Sequence, residues 1–460
     1  MESQRPGDLA QQLGAIVGEE NVLANDIPEA YTHDEAIDLP PVQPLAVVFV
    51  RSSAQVVELI RWARATRIPI VARGTGTGLS GGARPAREGI VCSFERMNRI
   101  LSIDTGDLTA RVEAGTTLAQ LEQALDGTPY FYPVYPGEMS ATIGGNIATN
   151  AGGMRAVRYG VTRHNVLGLE FVTGTGTALR SGGSYVKTSS GYDLTQLITG
   201  SEGTLALVTE VLVRLSLRPR HRRLLLASFL NFQDVAQAVV AISDRGLEPS
   251  VMEYMEASGL IAMAQHVDIN LGVSAQIMSE ASAFLMVELE GMHAGTLDAM
   301  TADLIDTLVS TASTEQYLLD EHQRQELIRA REAAFWTVKH LGATTILDTV
   351  VPRSKLAPLF DGIAHYGRTS DTLVVGTGHV GDGNVHLSLF AADPQAGAAT
   401  AKAIIDLALE LGGAISGEHG IGVAKRQYLL DQIEPDRLAL YRSIKAVFDP
   451  QDLLNPGKLL

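Results

Sequence analysis

Residues 378–386 read Gly378-His379-Val380-Gly381-Asp382-Gly383-Asn384-Val385-His386, and Glu418-His419 stands further on inside Ser416-Gly417-Glu418-His419-Gly420-Ile421-Gly422. Neutral imidazoles with one carboxylate suit a divalent ion, zinc first, with manganese or iron(II) as alternatives, and leave coordination positions open for a substrate. The surrounding glycines let backbone pack close to a small ligand. Strand alternation over 385–390 puts His386 and Ser388 on one face and Val385, Leu387 and Leu389 on the other. His379 reaches the same point if Gly381-Asp382-Gly383 turns the chain. Asp382 reads as a turn residue, or as one that orients an imidazole, and not as a ligand. A lone histidine on a glycine loop is usually structural. Three histidines and a glutamate concentrated in two such loops favour function.

The chain around this cluster has 460 residues, which calls for two domains or a domain with a large cap. A hydrophobic content of 45% is enough for a sizeable core. The net charge of −16 argues against nucleic acid as a partner, while leaving a small anionic substrate open. Cys92, the only cysteine, sits in the apolar run Ile90-Val91-Cys92-Ser93-Phe94 and reads as a buried strand residue. An iron–sulfur cluster in the electron path would therefore belong to another protein. The chain opens with no apolar leader and has no run long enough for a membrane span, so the expected location is cytoplasmic.

The elements that must position the cluster follow from periodicity. A helical arm is expected over 1–38, with Leu9, Leu13, Ile16 and Val17 at helical spacing. A strand over 46–50, a helix started by the capping box Ser52 and Gln55, and a strand over 68–72 make a βαβ unit. Strands over 90–94, 100–103, 109–113, 167–173 and 204–217, with a helix over 117–125, describe an α+β region ending near Pro219. The basic run 218–223 reads as a solvated boundary. From Leu224 the pattern restarts: strands over 224–229, 283–290, 344–350 and 371–376, and helices over 235–243, 297–310, 398–411 and 438–448, predict an α/β sandwich.

Three further stretches are glycine-rich. The first is Arg73-Gly74-Thr75-Gly76-Thr77-Gly78-Leu79-Ser80-Gly81. Gly76, Gly78 and Gly81 formally match the dinucleotide fingerprint, but that motif needs a helix opening within it. Here Gly82 and Pro85 follow, which are poor helix formers, and what remains is a loop of backbone N–H groups able to surround a pyrophosphate. A Walker loop is excluded because Val186, not glycine, precedes Lys187-Thr188. The second stretch runs Pro136-Gly137-Glu138, then Thr142-Ile143-Gly144-Gly145-Asn146, Ala148-Thr149-Asn150 and Gly152-Gly153, with Tyr159-Gly160 after it. Its small residues would let backbone lie along a flat cofactor. The third includes Lys187 to Asp193 and then Glu202-Gly203-Thr204-Leu205, with Val208 just beyond.

In this order and spacing, the three stretches resemble the FAD-linked oxidases of the vanillyl-alcohol oxidase type. The resemblance is greatest to the branch of D-lactate dehydrogenase, D-2-hydroxyglutarate dehydrogenase and the glycolate oxidase flavoprotein subunit. It covers roughly 40–460, weakly over 225–320. It implies an α+β fold, with an FAD-binding domain of two α+β subdomains and a C-terminal α/β sandwich cap over the flavin. The corresponding divisions are an arm at 1–38, the FAD-binding domain at 39–218, a substrate and metal-bearing cap at 219–410, and a segment at 411–460 returning to the FAD domain.

By the same resemblance, 73–81 holds the FAD pyrophosphate, 136–153 with Tyr159 and Gly160 lines the cofactor, and Glu202, Gly203, Leu205, Val208 and Asn455 close over it. Thr77 stands where some relatives tether FAD through histidine, so FAD is expected to be non-covalent. His379, His386 and Glu418 match the family's metal ligands, and His419 its catalytic base, which takes the hydroxyl proton of a D-2-hydroxy acid as hydride passes to flavin N5. Arg331 matches the arginine aimed at the substrate carboxylate, with Arg329 as the neighbouring alternative.

The chain departs from the hydroxyglutarate enzymes at Phe335, Ile346 and Ser388, where those enzymes carry other polar contacts. Apolar Phe335 and Ile346 would serve a second carboxylate poorly, which favours a monocarboxylic substrate, lactate or a larger apolar analogue. The alternatives are a glycolate oxidase flavoprotein subunit working with an iron–sulfur partner, an electron-passing flavin subunit with no substrate site, and a colourless metal hydrolase. The implied electron acceptor is an electron-transfer flavoprotein, a quinone, a cytochrome or an iron–sulfur subunit, and a homodimer is left open.

Overall fold

Ser52 follows the strand Ala46–Phe49 and caps the helix Ser53–Thr66, its hydroxyl accepting from Gln55 N, in a computed structural model that describes residues 6–460. Val56, Leu59, Ile60 and Ala63 are all buried, as their spacing predicts. They lie against the parallel strands Ala46–Phe49, Ile90–Ser93 and Ile70–Arg73, while Val22–Leu23 adds an antiparallel edge strand to give a sheet of four. Leu9, Leu13 and Val17 of the helix Pro6–Val17 join the same core, and so do Leu453 and Leu454 from far along the chain. Leu454 bridges Ile70. Cys92 is fully buried in this core, and burial pushes its thiol up.

The second subdomain is a five-stranded antiparallel sheet, in the order Ile100–Asp104, Thr109–Glu113, Ala206–Arg214, Val166–Thr173, Ala178–Gly182. Thr117 and Gln120 form a full capping box on the helix Leu118–Ala124. The sequence reading assigned no element after Thr142, where Ile143–Thr149 is a helix whose first turn is capped by the Thr142 hydroxyl. Ile143, Asn146 and Ile147 are buried at helical spacing, and that burial overrides the low helix propensity of Gly144 and Gly145.

The C-terminal half is built on a seven-stranded sheet, antiparallel throughout. Its order is Glu315–Leu319, His221–Phe229, Ala283–Gly291, Val251–Glu256, Thr372–Gly378, Asn384–Ala391, Thr345–Val350. One face buries Val385, Leu387 and Leu389 under the helices Phe232–Asp244, Ala294–Ser310, Leu356–Thr369 and Pro394–Glu410. On the other face lie the helices Ala257–His266, Glu321–Glu332 and Ala334–His340, with Met154 of the FAD side packed among them. These three helices, and the strands Val251–Glu256 and Glu315–Leu319, were not anticipated. Each is short or charge-interrupted, so periodicity over a window is weak. The fold class stands as expected: two α+β subdomains and a sandwich cap. Among the described residues, no helix is long and apolar enough to cross a membrane.

Candidate active site

The turn that joins the strands Thr372–Gly378 and Asn384–Ala391 carries His379 at its start. Gly383 adopts φ +78°, and a Cβ there would meet Val351 O at 1.9 Å, so the close turn demands glycine. In the register, Thr377 lies opposite His386 and Asp348 opposite His386 on the other side. His386 and Ser388 therefore share the face expected of them. Glu418 Oε1 lies 3.0 Å from His379 Nε2 and 3.2 Å from His386 Nε2. The three donor atoms are within 4.8 Å of one another, a spacing that one divalent ion can bridge.

Two carboxylates missed by the sequence reading hold this trio. Glu253, fully buried in the strand Val251–Glu256, lies 2.5 Å from His379 Nδ1 and accepts from Arg331 Nε at 2.8 Å. Burial opposes ionisation of Glu253, but the His379 and Arg331 charges outweigh it and hold the carboxyl below its usual range. Asp348 accepts from the backbone N–H groups of Glu418 and His419, from Ser416 Oγ and from Asn384 Nδ2. Its Oδ1 is 3.4 Å from His386 Nδ1, and the buried Lys425 amine is 3.8 Å away. Glu253 and Asp348 thus take the imidazole-orienting role considered for Asp382, which stays in the turn, its N–H donating to His379 O. A second trio, Asp348, His386 and His419, has similar spacing. Asp348 is already saturated with donors and does not line the cavity, so His379, His386 and Glu418 are the better ligand set.

Burial disfavours a charged His379, but Glu253 and Glu418 reverse this and raise it to about 10. Each ring nitrogen thus faces a carboxylate, the arrangement in which a ligating imidazole keeps one N–H on an outer acceptor. His419 differs. Its ring stacks on His386 at 4.9 Å and 6°, its Nδ1 is buried with no partner, and burial lowers it to about 4. It is neutral at pH 7 and able to accept a proton.

The cluster opens on a cavity of ≈ 150 Å3, which also takes in Arg331, Phe335, Ile346 and Ser388. Arg331 is 8% exposed and its Nη2 has no hydrogen-bond partner. Arg329 points elsewhere, to Val267 O and Glu326. The opposite wall is the glycine system: Thr77, Leu79, Pro136, Gly137 and Glu138. Gly152 approaches so closely that a Cβ would lie 2.8 Å from Glu418 Oε2.

Behind this wall a smaller cavity is lined by Arg73, Gly74, Thr142, Gly144, Gly145, Ala148, Gly203 and Val208. Asn146, on the same helix as Gly145, keeps Nδ2 buried without a partner. A cradle of backbone and small side chains with an orphan donor fits a long, phosphate-bearing flavin cofactor. Several of the predicted residues spend their side chains on other partners. Arg73 spends its guanidinium on His33 O and Ala30 O, and Tyr159 donates to Glu290. Asn150 accepts from Arg163 N, and Thr75 donates to Ser140 O.

Residues 44–182 match the FAD binding domain family, and residues 218–459 match the family described as FAD linked oxidases, C-terminal domain. The chain belongs to the FAD-linked oxidases. It is 44% identical over 98% of each chain to an uncharacterized FAD-linked oxidoreductase of Mycobacterium tuberculosis. It is 35% identical to glycolate oxidase subunit GlcD of Bacillus subtilis, covering 98% of this chain and 96% of that one. Against the D-lactate dehydrogenase of Archaeoglobus fulgidus the identity is 36%, over 94% and 96%. The structure of p-cresol methylhydroxylase superposes with a TM-score of 0.79 at 16% identity, covering 99% of this chain and 97% of that one, which places the fold in the vanillyl-alcohol oxidase type.

In this FAD-linked oxidase, two loops of different halves are tied to each other beside the cluster. Glu202 accepts from Ile421 N and Gly422 N at 2.8 and 2.7 Å. Ser80 Oγ donates to Gly420 O, and Asn455 Nδ2 donates to Gly82 O and Glu202 O. Glu202 and Ser80 therefore fix the cofactor side to the loop of His419 by side-chain bonds of their own, while Asn455 ties residues 82 and 202 to each other. Glu332 and Trp336 also line the active-site cavity. The one signal that would have found Glu253 and Asp348 is a lone carboxylate inside an apolar strand, which is rare unless paired.

Proposed function

We propose that this FAD-linked oxidoreductase oxidises a D-2-hydroxy monocarboxylic acid to the 2-oxo acid, with FAD bound non-covalently and a divalent ion, zinc by preference, at His379, His386 and Glu418. The observation that carries the reading is a single cavity lined both by this trio with Arg331 and by the flavin-side residues Thr77, Leu79, Pro136, Gly137 and Glu138. When bound, the flavin supplies a two-electron acceptor and the ion polarises the substrate hydroxyl. The Arg331 guanidinium receives the substrate carboxylate, held in place because Glu253 fixes Nε. His419 Nε2 takes the hydroxyl proton; Nδ1 is buried, the ring is neutral and Asp348 pins its backbone. Glu253 and Asp348 keep the two ligand imidazoles in register. Phe335 and Ile346 turn apolar faces to the remaining space, which disfavours a second carboxylate.

The identities to a glycolate oxidase subunit and to a D-lactate dehydrogenase are nearly equal, so a flavoprotein subunit working on glycolate with an iron–sulfur partner is the second reading. An anaerobic panel of D- and L-2-hydroxy acids, read by loss of flavin absorbance, tests both. D-lactate or a larger D-monocarboxylate should bleach the flavin fastest. Fastest bleaching by glycolate would favour the second reading, and no bleaching by any acid would reject both.

A further inference from the structure

The sheet face that carries His386 does not end at the cluster. Three cross-strand rows lie along it: Thr377 opposite His386, Val375 opposite Ser388, and Leu373 opposite Phe390. The first row is polar and belongs to the site. The next two are apolar except for Ser388. From His386 to Phe390 is four residues, about 14 Å at strand rise.

Over these outer rows is a separate cavity of ≈ 340 Å3, roofed by Gly259, Ala262 and Met263 of the helix Ala257–His266 and by the helix Ala334–His340. It shares Ala334, Val338, Thr377 and Ser388 with the active-site cavity. The two spaces therefore adjoin along these four residues. At its far end Leu341 and Leu373 are 57% and 62% exposed.

No charged side chain lines this cavity. Its hydroxyls, Ser388 aside, are spent inside the protein: Thr337 on Ala333 O, Thr377 on Tyr254 O and Ser258 on Glu256. An occupant meets methyl and aromatic surface, so a carboxylate or sugar there would lose its water without replacement. We infer that the cavity behind Ser388 and Thr377 receives the tail of the substrate, which makes the substrate a 2-hydroxy acid with an extended apolar chain. This rests on the proposed function for the reacting end, and the tail site extends it.

Each methylene buried contributes about fourfold in affinity or kcat/KM. The test uses the holoenzyme and two readouts. Anaerobic flavin reduction is followed for D-lactate, D-2-hydroxybutanoate, D-2-hydroxyhexanoate, D-2-hydroxyoctanoate and D-2-hydroxydecanoate. Calorimetry follows binding of the plain carboxylates hexanoate, octanoate and decanoate. Both series should strengthen by about fourfold per methylene over several carbons. Ala262→Trp should flatten both, and Leu373→Asp, at an exposed position, should weaken only the longest members. Flat series, or a slope that survives Ala262→Trp, overturn the inference. Graded carboxylate binding with no flavin reduction by any acid would uphold the tail site and reject the proposed reaction. Reduction by lactate without a chain-length gain would do the reverse.

Discussion

Glu253 carries two cations at once: one oxygen faces His379 Nδ1 and the other Arg331 Nε. If it orients a metal ligand, Glu253→Gln should lower divalent-metal affinity by about 10–100-fold with FAD content unchanged. Metal titration of the chelator-treated protein checks this, and unaltered affinity would reduce Glu253 to a packing role. Glu332 gives a pH prediction. Burial pushes its carboxyl from the ordinary 4.5 up to about 7. The folded chain keeps this proton between those values while the unfolded chain releases it, so stability falls as pH rises through the window. Glu332→Gln should therefore raise Tm more at pH 8 than at pH 5, and equal gains would count against a buried neutral carboxyl.

The histidines and Glu418 were legible because glycine loops concentrate them in sequence. Glu253 and Asp348 were not, because each is an acid inside a short apolar strand whose imidazole partner is brought by the fold, His379 from 126 residues beyond Glu253 and His386 from the neighbouring strand beside Asp348.

Among elements, the loops are bound to one another more than to either core. Glu202 takes two backbone N–H groups of the loop that follows His419. Removing its carboxylate leaves two N–H groups without their acceptor, which at the usual worth of bonds to such groups costs about 3 kcal/mol. Glu202→Ala should lower the urea midpoint accordingly and slow substrate-driven flavin reduction. Full stability would mean that the bonds from Ser80 to Gly420, Val423 and Ala424 suffice to hold the loop. The strands and helices of the FAD side were largely readable from caps and alternation, as at Ser52 and Thr117. The helix Ile143–Thr149 was hidden by its glycines, and Glu321–Glu332 by its many charges, since neither shows the amphipathic period that burial then exploits. That second helix matters most for the site, because it delivers Arg331.

At the scale of the molecule, the two halves recognised separately by sequence form one site only by meeting across it, with Gly152 of one against Glu418 of the other. Leu453 and Leu454, from beyond the cap, fill the core of the first sheet beside Leu59 and Ile60. The sandwich cap was foreseen as a class, but the antiparallel order of its strands was not, because strand pairing is set by contacts distant in sequence.

The tie made by Glu202 has a consequence in time. Its acceptor oxygens wait for N–H groups 219 and 220 residues further along the chain. At ordinary rates of synthesis that is about 10–40 s. During that interval the cofactor loops of a nascent chain exist without the strut that fixes them, and a buried carboxylate faces water instead. A newly made chain should therefore mature into a flavin-retaining protein late, after its second half has emerged, and not domain by domain.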